Sequence, residues 1–334
     1  MNALYTRPWE KIDKPIIALI DTSALVHRAF HAIPHLTDSR GRPINAVYGF
    51  VSSILAVLEQ VKPRYLVCAL DVKGKLVRSE KYEQYKAQRK PTDENLKSQF
   101  PIVTELIDEL GIPHFGVLGS EADDVIGTLA KQAQAQGVFA VIVTGDMDAL
   151  QLVNGNVAVL SVTKGAKELT WYDTQSVIDK YGLKPDQLRD YKGLVGDASD
   201  NIPGVPGVGP KTAEGLLREF GDLDTLYKAL EKPQEKLENR NSKIGESKSL
   251  VSSFQFLISD RLRAKLLEYK DQAYLSRELG TIDVHVPIEL DLAEAIAKNY
   301  SQERATKYFE TLGFKSLIRR LPEQIVMVKQ ESLF

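Results

Sequence analysis

Short apolar runs alternate with longer amphipathic stretches in the first half of the chain. The runs Ile16–Ile20, Tyr65–Leu70 and Phe139–Val143 are rich in aliphatic residues, and a helical pattern follows each of them. Short runs that alternate with helices are typical of parallel strands that are buried on both faces. The pattern therefore predicts an α/β domain with a mostly parallel sheet.

The stretches around these runs complete a predicted first domain over residues 1–172. Helical spacing of apolar residues predicts helices over Thr22–Phe30, Val47–Val61 and Phe100–Leu110. Further strands are predicted in the segments HFGVL (114–118), NVAVLSV (156–162) and ELTWY (168–172), with a turn at Lys164–Gly165.

The second half of the chain is predicted to be a mainly helical domain over residues 173–322, followed by a flexible tail over 323–334. Helices are predicted over Asp173–Tyr181, Leu223–Leu230, Ser247–Leu257 and Asp291–Gly313. The segment TIDVHVPIEL (281–290) alternates like a strand, and Glu231–Gly245 has the composition of a polar linker. We expect the C-terminal elements to return to the first domain.

Acidic residues come directly after the predicted strands. Asp21 ends the first run, Asp71 ends the second, and Asp146 and Asp148 follow the third. One Asp after a strand is often a turn residue. Ligands of parallel sheets, however, bind outside the carboxyl ends of the strands, where all four side chains would meet. Agreement among three strands therefore favours a functional site.

Three more acids lie in the segment GSEADDVIGTLA (119–130), at the predicted start of a helix. Ser120 is the expected N-cap, and Asp123 is placed to complete a capping box. Capping alone would explain one or two acids, because a helix N-terminus favours negative charge. Glu121, Asp123 and Asp124 together exceed that need.

The segment 73–90 contains seven basic residues and only two acidic ones. If it is helical, its spacing places two aromatic rings and two cations on one face, which could stack bases and pair with phosphates. The residues of this face are Tyr82, Tyr85, Lys86 and Arg89. The alternative is an ordinary solvated charged helix.

A second acidic pair precedes a glycine-rich turn in GDASDNIPGVPGVGPKTAEGLL (196–217). Asp197 and Asp200 would lie together if this stretch were helical. The turn that follows, with a helix predicted to open at Thr212, would aim backbone N–H groups and Lys211 at a phosphate-sized anion. The alternative is a plain turn between two helices.

Composition narrows the class of protein. The 334 residues are 43% hydrophobic and 26% charged, which is enough for a full core and two domains. No apolar run of about eighteen residues and no signal peptide is present, so we expect a cytoplasmic protein without a membrane segment. Glycine-rich nucleotide-binding loops do not follow the strands, which argues against a dehydrogenase or a P-loop ATPase. The single cysteine, Cys68, excludes a disulfide within the chain.

Several long motifs together resemble the 5′ nuclease domains of bacterial DNA polymerase I, within the wider flap endonuclease family. The resemblance covers residues 15–320 and rests on ALIDTSALVHRAFHAIPHLTDSRGRPINAVYGF, YKAQRKP, GSEADDVIGTLA, VTGDMDALQLV and GDASDNIPGVPGVGPKTAEGLL. It implies a metal-dependent α/β nuclease core of the PIN-like or resolvase-like kind. It also implies a helical arch near residues 73–92 and a helix–hairpin–helix domain that grips duplex DNA.

The resemblance also implies roles for individual residues. The family's metal carboxylates fall on Asp21, Asp71, Glu121, Asp123, Asp124, Asp146, Asp148, Asp197 and Asp200. Its arch cations, which contact the scissile phosphate, match Lys86 and Arg89, and its duplex-binding hairpin matches Gly204 to Lys211. The DNA-binding residues expected from the motifs are Arg78, Lys81, Tyr82, Tyr85, Lys90, Gly204, Gly207, Gly209, Lys211 and Thr212.

Oxygen-only ligands favour Mg²⁺ or Mn²⁺, and two such ions about 4 Å apart suit phosphodiester hydrolysis. We expect Asp148, Asp197 and Asp200 to serve the second ion, Asp71 to serve either one, and the other five acids to hold the tighter ion. A K⁺ ion at the helix–hairpin–helix is a further expectation. The nine acids leave a charge of +7 on the rest of a chain whose total is −2, which suits a polyanionic partner.

The expected function is structure-specific 5′–3′ exonuclease and flap endonuclease activity in replication and repair. The substrate would be branched or nicked duplex DNA with a 5′ single-stranded end. Two alternatives are a metal-dependent ribonuclease and a non-catalytic helix–hairpin–helix DNA-binding module. Incubation with a 5′-flap DNA and a matched RNA, with and without Mg²⁺, would separate them.

The final residues resemble the Gln-x-x-Leu-Phe peptides that bind the bacterial sliding clamp. Gln330, Leu333 and Phe334 would be the contact residues, at the end of a polar tether. The alternative is that the two apolar residues dock on the protein's own core.

Overall fold

The computed structural model describes residues 7–163, 168–232, 258–297 and 300–322. Within these ranges the chain forms two compact units. Of the described residues, those within 7–81, 90–177 and 282–322 belong to the first unit, and those within 82–89 and 178–281 belong to the second. Several predicted features lie outside the described residues, namely the turn at Lys164–Gly165, most of the linker Glu231–Gly245, the helix Ser247–Leu257 and the clamp-binding residues Gln330, Leu333 and Phe334.

The first unit is built on one six-stranded sheet with the order β3-β2-β1-β4-β5-β6. The strands are β1 Ile16–Asp21, β2 Tyr65–Ala69, β3 His114–Phe115, β4 Phe139–Thr144, β5 Val157–Thr163 and β6 Glu168–Tyr172. All neighbours pair in parallel except β5 and β6, which are antiparallel. The predicted mostly parallel sheet is therefore confirmed.

Strand order reverses between β1 and β4, because β2 and β3 lie on one side of β1 while β4 and β5 lie on the other. In sheets of this kind the crevice at the reversal point, beyond the carboxyl ends of the strands, is the usual ligand site. Asp21 ends β1 at this crevice, and Asp146 follows β4 there. Every residue of β1 is buried, as expected for a central strand covered on both faces.

Helices cover the sheet and build the second unit. In chain order they are α1 Thr22–Ala32, α2 Asn45–Gln60, α3 Val77–Lys81, α4 Glu94–Lys97, α5 Phe100–Glu109, α6 Ala122–Ala135, α7 Thr174–Tyr181, α8 Leu188–Val195, α9 Pro210–Phe220, α10 Leu223–Leu230, α11 Asp260–Glu268, α12 Lys270–Gly280, α13 Gln302–Thr311 and α14 Lys315–Ile318. Short 3₁₀ turns span Pro8–Lys11, Met147–Leu152 and Pro185–Gln187. In the described part of the chain, no helix is long and apolar enough to span a bilayer.

The prediction of a strand in TIDVHVPIEL is wrong. This segment is irregular, and its backbone hydrogen-bonds to side chains of α6 instead of to a neighbouring strand. The N–H of Val286 donates to Thr128 Oγ1 at 3.0 Å, and the N–H of Leu290 donates to Gln132 Oε1 at 2.8 Å. Alternation of apolar residues suits any extended backbone that packs on a surface, so the pattern alone did not distinguish the two cases.

The prediction of one helix over Asp291–Gly313 is also too long. Residues 291–297 form turns, and the helix in this range is α13. The N–H of Leu66 donates to Ala295 O at 2.8 Å, and the N–H of Ala297 donates to Arg64 O at 2.9 Å. This stretch therefore hydrogen-bonds to the start of β2 within the first unit. Its backbone groups pair there and not within a helix.

In the second unit, α8 ends where two glycines meet. Gly196 has φ +76° and Gly204 has φ +62°, and a Cβ on either would lie within 3 Å of the other's backbone. The Ser276 hydroxyl oxygen accepts the N–H of Gly204 at 3.0 Å, and Gln272 Nε2 donates to Gly204 O at 2.6 Å. Helix α12 thus fixes the start of the glycine-rich hairpin, and α9 begins at Pro210, two residues before the predicted Thr212.

Candidate active site

Asp21 lies at the centre of the carboxyl edge of the sheet, and 4% of its surface is exposed. It is the last residue of β1 and the N-cap of α1, where its Oδ1 accepts the N–H of Ala24 at 2.9 Å. Its Oδ2 accepts the hydroxyl of Thr144 at 2.6 Å. Both oxygens are thus held by donors from two different elements.

Thr144 connects Asp21 to the acids that follow β4. Its hydroxyl oxygen accepts the N–H of Asp146 at 2.9 Å, and Asp146 Oδ1 accepts the N–H of Asp148 at 2.9 Å. Thr144 itself is fully buried. The only sequence signal for Thr144 is a hydroxyl at the last position of a strand, two residues before an Asp, and the pattern of acids did not point to it.

The carboxylates of α6 differ in detail from the predicted capping arrangement. The N-cap is Glu121, not Ser120, and Asp124, not Asp123, completes the capping box. Asp71 Oδ1 accepts the N–H of Ala122 at 2.9 Å, which ties the end of β2 to the first turn of this helix.

Arg78 binds two of the predicted metal carboxylates. Its guanidinium donates to Asp124 Oδ2 at 2.7 Å and Oδ1 at 2.6 Å, and to Glu121 Oε2 at 2.9 Å. Asp124 also accepts the N–H of Asp283 at 2.8 Å. Only 14% of the Arg78 side chain is exposed, and the side chain lies against the acidic site. The sequence-based expectation was a DNA contact.

Burial and neighbouring carboxylates raise the pKa values of two acids in this cluster, Asp123 and Asp21. Burial, followed by the charges of Asp21, Asp146, Asp148 and Glu121, raises the pKa of Asp123 well above its ordinary value. Burial is also the main cause that raises the pKa of Asp21 to about 6; the Thr144 and Ala24 hydrogen bonds oppose it, and nearby carboxylates add to it. The structure therefore brings these carboxylates close together, as predicted from the strand ends.

A cluster of this kind fits divalent cations. The donors are all carboxylate oxygens, which hard cations such as Mg²⁺, Mn²⁺ and Ca²⁺ prefer. Burial and then repulsion from neighbouring carboxylates raise the pKa of Asp123, and a bound cation would offset the repulsion. Asp124 differs from the others, because Arg78 already neutralises it.

The second unit contains Asp197 and Asp200, but not on a helix. Gly196 ends α8, and the N–H of Asp197 and the O of Ile202 pair in a short bridge at 2.8 Å, which closes a loop. Lys192 Nζ lies 2.8 Å from Asp197 Oδ2. Burial raises the pKa of Asp197, but hydrogen bonds from Lys192 and Ser199 outweigh this effect and lower the pKa to about 2.

The predicted helical face of Tyr82, Tyr85, Lys86 and Arg89 is wrong. Residues 82–89 form consecutive turns, and Lys86 has φ +55°, which ends any regular helix at that point. The N–H of Lys86 donates to Asp200 O at 2.9 Å, and Asn201 Nδ2 donates to Gln84 O at 2.7 Å. Contacts with the loop 197–201 therefore determine the conformation of this segment.

Asp200 holds both predicted arch cations. Arg89 donates to its Oδ1, and Lys86 Nζ lies 3.7 Å from its Oδ2. The hydroxyl of Tyr85 donates to the same carboxylate at 3.3 Å. Tyr85 is buried, with 5% of its surface exposed, so its ring is not available to stack on a base as the sequence suggested.

The other predicted DNA-binding residues are mostly at the surface of their own units. Gly204 is buried beneath α12, whereas Gly207 is exposed beside Lys265 Nζ. Tyr82, Gly209 and Thr212 are half-buried, and the exposed residues are Lys81, Lys90 and Lys211.

Two family models match the chain in succession. The N-terminal resolvase-like domain of 5′–3′ exonucleases matches residues 16–182, and the 5′–3′ exonuclease C-terminal SAM fold matches residues 183–303. These two models correspond to the α/β unit and the helical unit described above.

Curated relatives are DNA polymerases I. The chain is 40% identical over 309 residues to that of Caldicellulosiruptor bescii and 36% identical over 315 residues to that of Bacillus subtilis. It is 38% identical over 302 residues to the thermostable enzyme of Thermus thermophilus. These alignments cover 91%, 94% and 90% of this chain, but only 33%, 33% and 32% of the relatives. The chain therefore spans about a third of the length of the curated relatives it matches.

Solved structures share the fold at lower identity. T5 5′-exonuclease with bound divalent metal ions (zinc) has a TM-score of 0.61 at 20% identity, covering 90% of this chain and 98% of that one. The catalytic core of Rad2 in complex with a DNA substrate has a TM-score of 0.54 at 18% identity, covering 92% and 90%. The predicted combination of an α/β nuclease core and a helical domain is confirmed. Because the two family models together match residues 16–303, the chain belongs to the 5′–3′ exonuclease family, as its motifs predicted.

Proposed function

We propose that this 5′–3′ exonuclease hydrolyses DNA phosphodiester bonds at 5′ ends and 5′ flaps, with Mg²⁺ or Mn²⁺ as its cofactor, on nicked or branched duplex DNA. The observation that carries the proposal is the group of carboxylates around Asp123. Burial raises the pKa of Asp123, and the charges of four neighbouring acids raise it further. Carboxylates that are unfavourable to ionise together without a cation are an expected feature of a cation site.

The metal ligands of the first unit are proposed to be Asp21, Asp71, Glu121, Asp123, Asp146 and Asp148. When bound, two divalent ions would supply a water that is nucleophilic near neutral pH and would offset charge on the reacting phosphate. Asp124 is assigned a different role: it anchors Arg78, which in turn holds Glu121 in place. Asp197 and Asp200 are proposed as further metal carboxylates from their motif alone.

Lys86 and Arg89 are proposed to bind the scissile phosphate. Both cations pair with Asp200, so binding a phosphate requires each to exchange a carboxylate for a phosphate oxygen. The positive φ of Lys86 and its backbone hydrogen bond to Asp200 hold its side chain next to that carboxylate. Preorganised cations of this kind stabilise the charge that develops on a transferring phosphate.

The hairpin 204–211 is proposed to bind the duplex through its backbone N–H groups and Lys211, with a K⁺ ion as a further proposed ligand. Several hydrogen-bond donors are found in this part of the second unit. Gly207 is exposed, Lys265 Nζ is adjacent to it, and α9 begins three residues later. Phosphate contacts of this type supply affinity without sequence preference.

A cleavage assay tests the proposal. The protein is incubated with a 5′-flap DNA and with an RNA of matched sequence, each with Mg²⁺ and with EDTA. Mg²⁺-dependent cleavage of the DNA near the junction is the expected result. Cleavage of RNA alone would favour the ribonuclease alternative, and binding of the flap without cleavage would favour the non-catalytic module.

Binding to a bacterial sliding clamp through Gln330, Leu333 and Phe334 is a separate proposal that rests on the motif QESLF. Comparing clamp affinity of the chain with that of a form lacking Gln330–Phe334 tests it. Equal affinities would refute it.

A further inference from the structure

One side of α6 packs against an irregular segment of the same unit, residues 282–290, which we call the strap. Side chains spaced four residues apart on this side hydrogen-bond to the backbone of the strap. They are Asp124, Thr128, Gln132 and, at the C-cap of the helix, Gln136. A spacing of four residues keeps side chains on one face of a helix, about one turn apart. This face of α6 therefore binds the strap along the length of the helix.

Two of these side chains lie in the middle of the series. Thr128 Oγ1 accepts the N–H of Val286 at 3.0 Å, and both residues are buried. Gln132 Oε1 accepts the N–H of Leu290 at 2.8 Å, and its Nε2 donates to Ile288 O at 2.7 Å. A buried N–H group that loses its acceptor is unfavourable, so these bonds hold the strap at one position along the helix.

Gly127 lies on the same face and lets the strap approach closely. A Cβ at this position would lie 2.8 Å from Ile282 Cγ2 and 3.2 Å from Asp283 O. Glycine is unfavourable inside a helix compared with alanine. Its presence here agrees with a close fit between α6 and the strap.

The strap also connects two elements that carry carboxylates of the acidic site. The N–H of Asp283 donates to Asp124 in the first turn of α6, and the N–H of Ile282 donates to Gln151 Oε1 at 3.0 Å. Gln151 lies in the 3₁₀ turn Met147–Leu152, which also contains Asp148. The first two residues of the strap therefore join the start of α6 to this turn.

The rotation of α6 about its own axis decides which of its acids face the other carboxylates. Successive residues of a helix point about 100° apart, so Asp123 and Asp124 face different directions. Asp124 is bound by the strap and by Arg78. After burial, the charges of Asp21 and Asp146 are the largest causes that raise the pKa of Asp123, which places that side chain on the cluster side. A helix held on its strap side thus keeps Asp123 directed at the other acids.

We propose that Thr128 and Gln132 are positioning residues for the metal site, because their bonds to the strap fix the rotation and axial position of α6 and so direct Glu121 and Asp123 to the cation. This inference rests on the proposed nuclease function. The two residues lie one and two turns beyond Asp124, so they act through the helix and not on the substrate. Groups that orient metal ligands typically contribute at least about tenfold to metal affinity.

The test compares the same substitution at two positions of α6. Gln132 and Gln134 are both half-buried, but Gln134 Nε2 donates to Ala130 O of its own helix, at 3.2 Å. Gln132→Leu should weaken Mn²⁺ binding to the DNA-free protein by about tenfold, measured from the electron paramagnetic resonance signal of the free ion. It should slow single-turnover cleavage of a 5′-flap DNA by a similar factor at sub-saturating Mn²⁺. Gln134→Leu should leave both quantities unchanged.

Two substitutions of Thr128 separate positioning from stability. Thr128→Val removes the acceptor of the Val286 N–H and should also weaken Mn²⁺ binding by about tenfold. Thr128→Ser keeps the hydroxyl and should bind Mn²⁺ like the wild type. Circular dichroism at the assay temperature shows whether each variant is folded, and flap binding in EDTA should stay within about twofold of the wild type, since phosphate contacts elsewhere supply the affinity.

Wild-type Mn²⁺ affinity in folded Gln132→Leu and Thr128→Val, with a loss confined to thermal stability, would overturn the positioning role. An equal loss of Mn²⁺ affinity in Gln134→Leu would overturn it as well. A wild-type protein that neither binds Mn²⁺ nor cleaves the flap would instead overturn the proposed function.

Discussion

The hydroxyl of Thr144 donates to Asp21 Oδ2 at 2.6 Å, while its oxygen accepts the N–H of Asp146 at 2.9 Å. One buried side chain at the end of β4 thus holds the carboxylate of Asp21 and the backbone of Asp146, on either side of the point where strand order reverses. Because Thr144 has no charge, it can connect the two without adding to the repulsion among the acids. This arrangement gives the first prediction.

Thr144→Val should weaken Mg²⁺ binding and slow cleavage by about 10- to 100-fold, the usual loss when a group that orients a metal ligand is removed. The Thr144 hydrogen bond lowers the pKa of Asp21, so its loss should also move the rise of activity to higher pH. Thr144→Ser keeps the hydroxyl and should retain most of the activity. A Val variant with an unchanged pH profile would show that Thr144 has only a packing role.

Arg78→Gln should lower the free energy of unfolding by about 3 kcal/mol, because it leaves the buried carboxylate of Asp124 without its partner. Lys75→Gln is the control, since Lys75 and Glu80 are 3.7 Å apart and both are well exposed. Urea denaturation measures both variants. If Arg78→Gln unfolds like the wild type and only binds DNA more weakly, Arg78 is a DNA contact and not an anchor.

Metal dependence of stability should increase with pH. The pKa of Asp21 is raised to about 6 in the folded protein, compared with about 4 in the unfolded chain. Between these two pH values the unfolded chain releases its proton first, so the metal-free protein loses stability as pH rises. Divalent ions require the ionised carboxylates, so Mg²⁺ should raise Tm more at pH 7.5 than at pH 5. Asp21→Asn should reduce both effects. Equal Tm increases at the two pH values would contradict the assignment of these acids.

Lys86→Ala should slow single-turnover cleavage at saturating protein by more than it weakens flap binding, because the ammonium is proposed to act on the reacting phosphate. The loss of its pair with Asp200 is a smaller effect, since Arg89 and Tyr85 also contact that carboxylate. Lys307→Ala, which removes an exposed lysine of α13 with no proposed DNA contact, is the control. An effect confined to affinity would make Lys86 an ordinary DNA-binding cation.

The sheet and the acids at its edge could be predicted from sequence because both depend on local patterns. The three apolar runs became β1, β2 and β4, and the Asp residues after them lie at the predicted edge. Parallel strands fix where their carboxyl ends meet, so identifying the strands was sufficient to bring Asp21 and Asp146 together.

Features that depend on distant contacts could not be predicted in this way. The i, i+3, i+4 spacing of residues 82–89 favoured a helix, but hydrogen bonds to the loop 197–201 hold the segment in turns. In the same way, nothing local to Arg78 indicates that its partners are Glu121 and Asp124, more than forty residues away.

The carboxylates at the edge of the sheet are proposed to hold the catalytic cations. The most direct measurement compares Asp146→Asn with the wild type for Mg²⁺-dependent cleavage and for binding of the same 5′-flap DNA. We predict a rate loss of about 10²-fold or more with nearly unchanged DNA affinity, because phosphate contacts elsewhere supply most of the binding. Near-normal turnover by the variant in Mg²⁺ would contradict the claim.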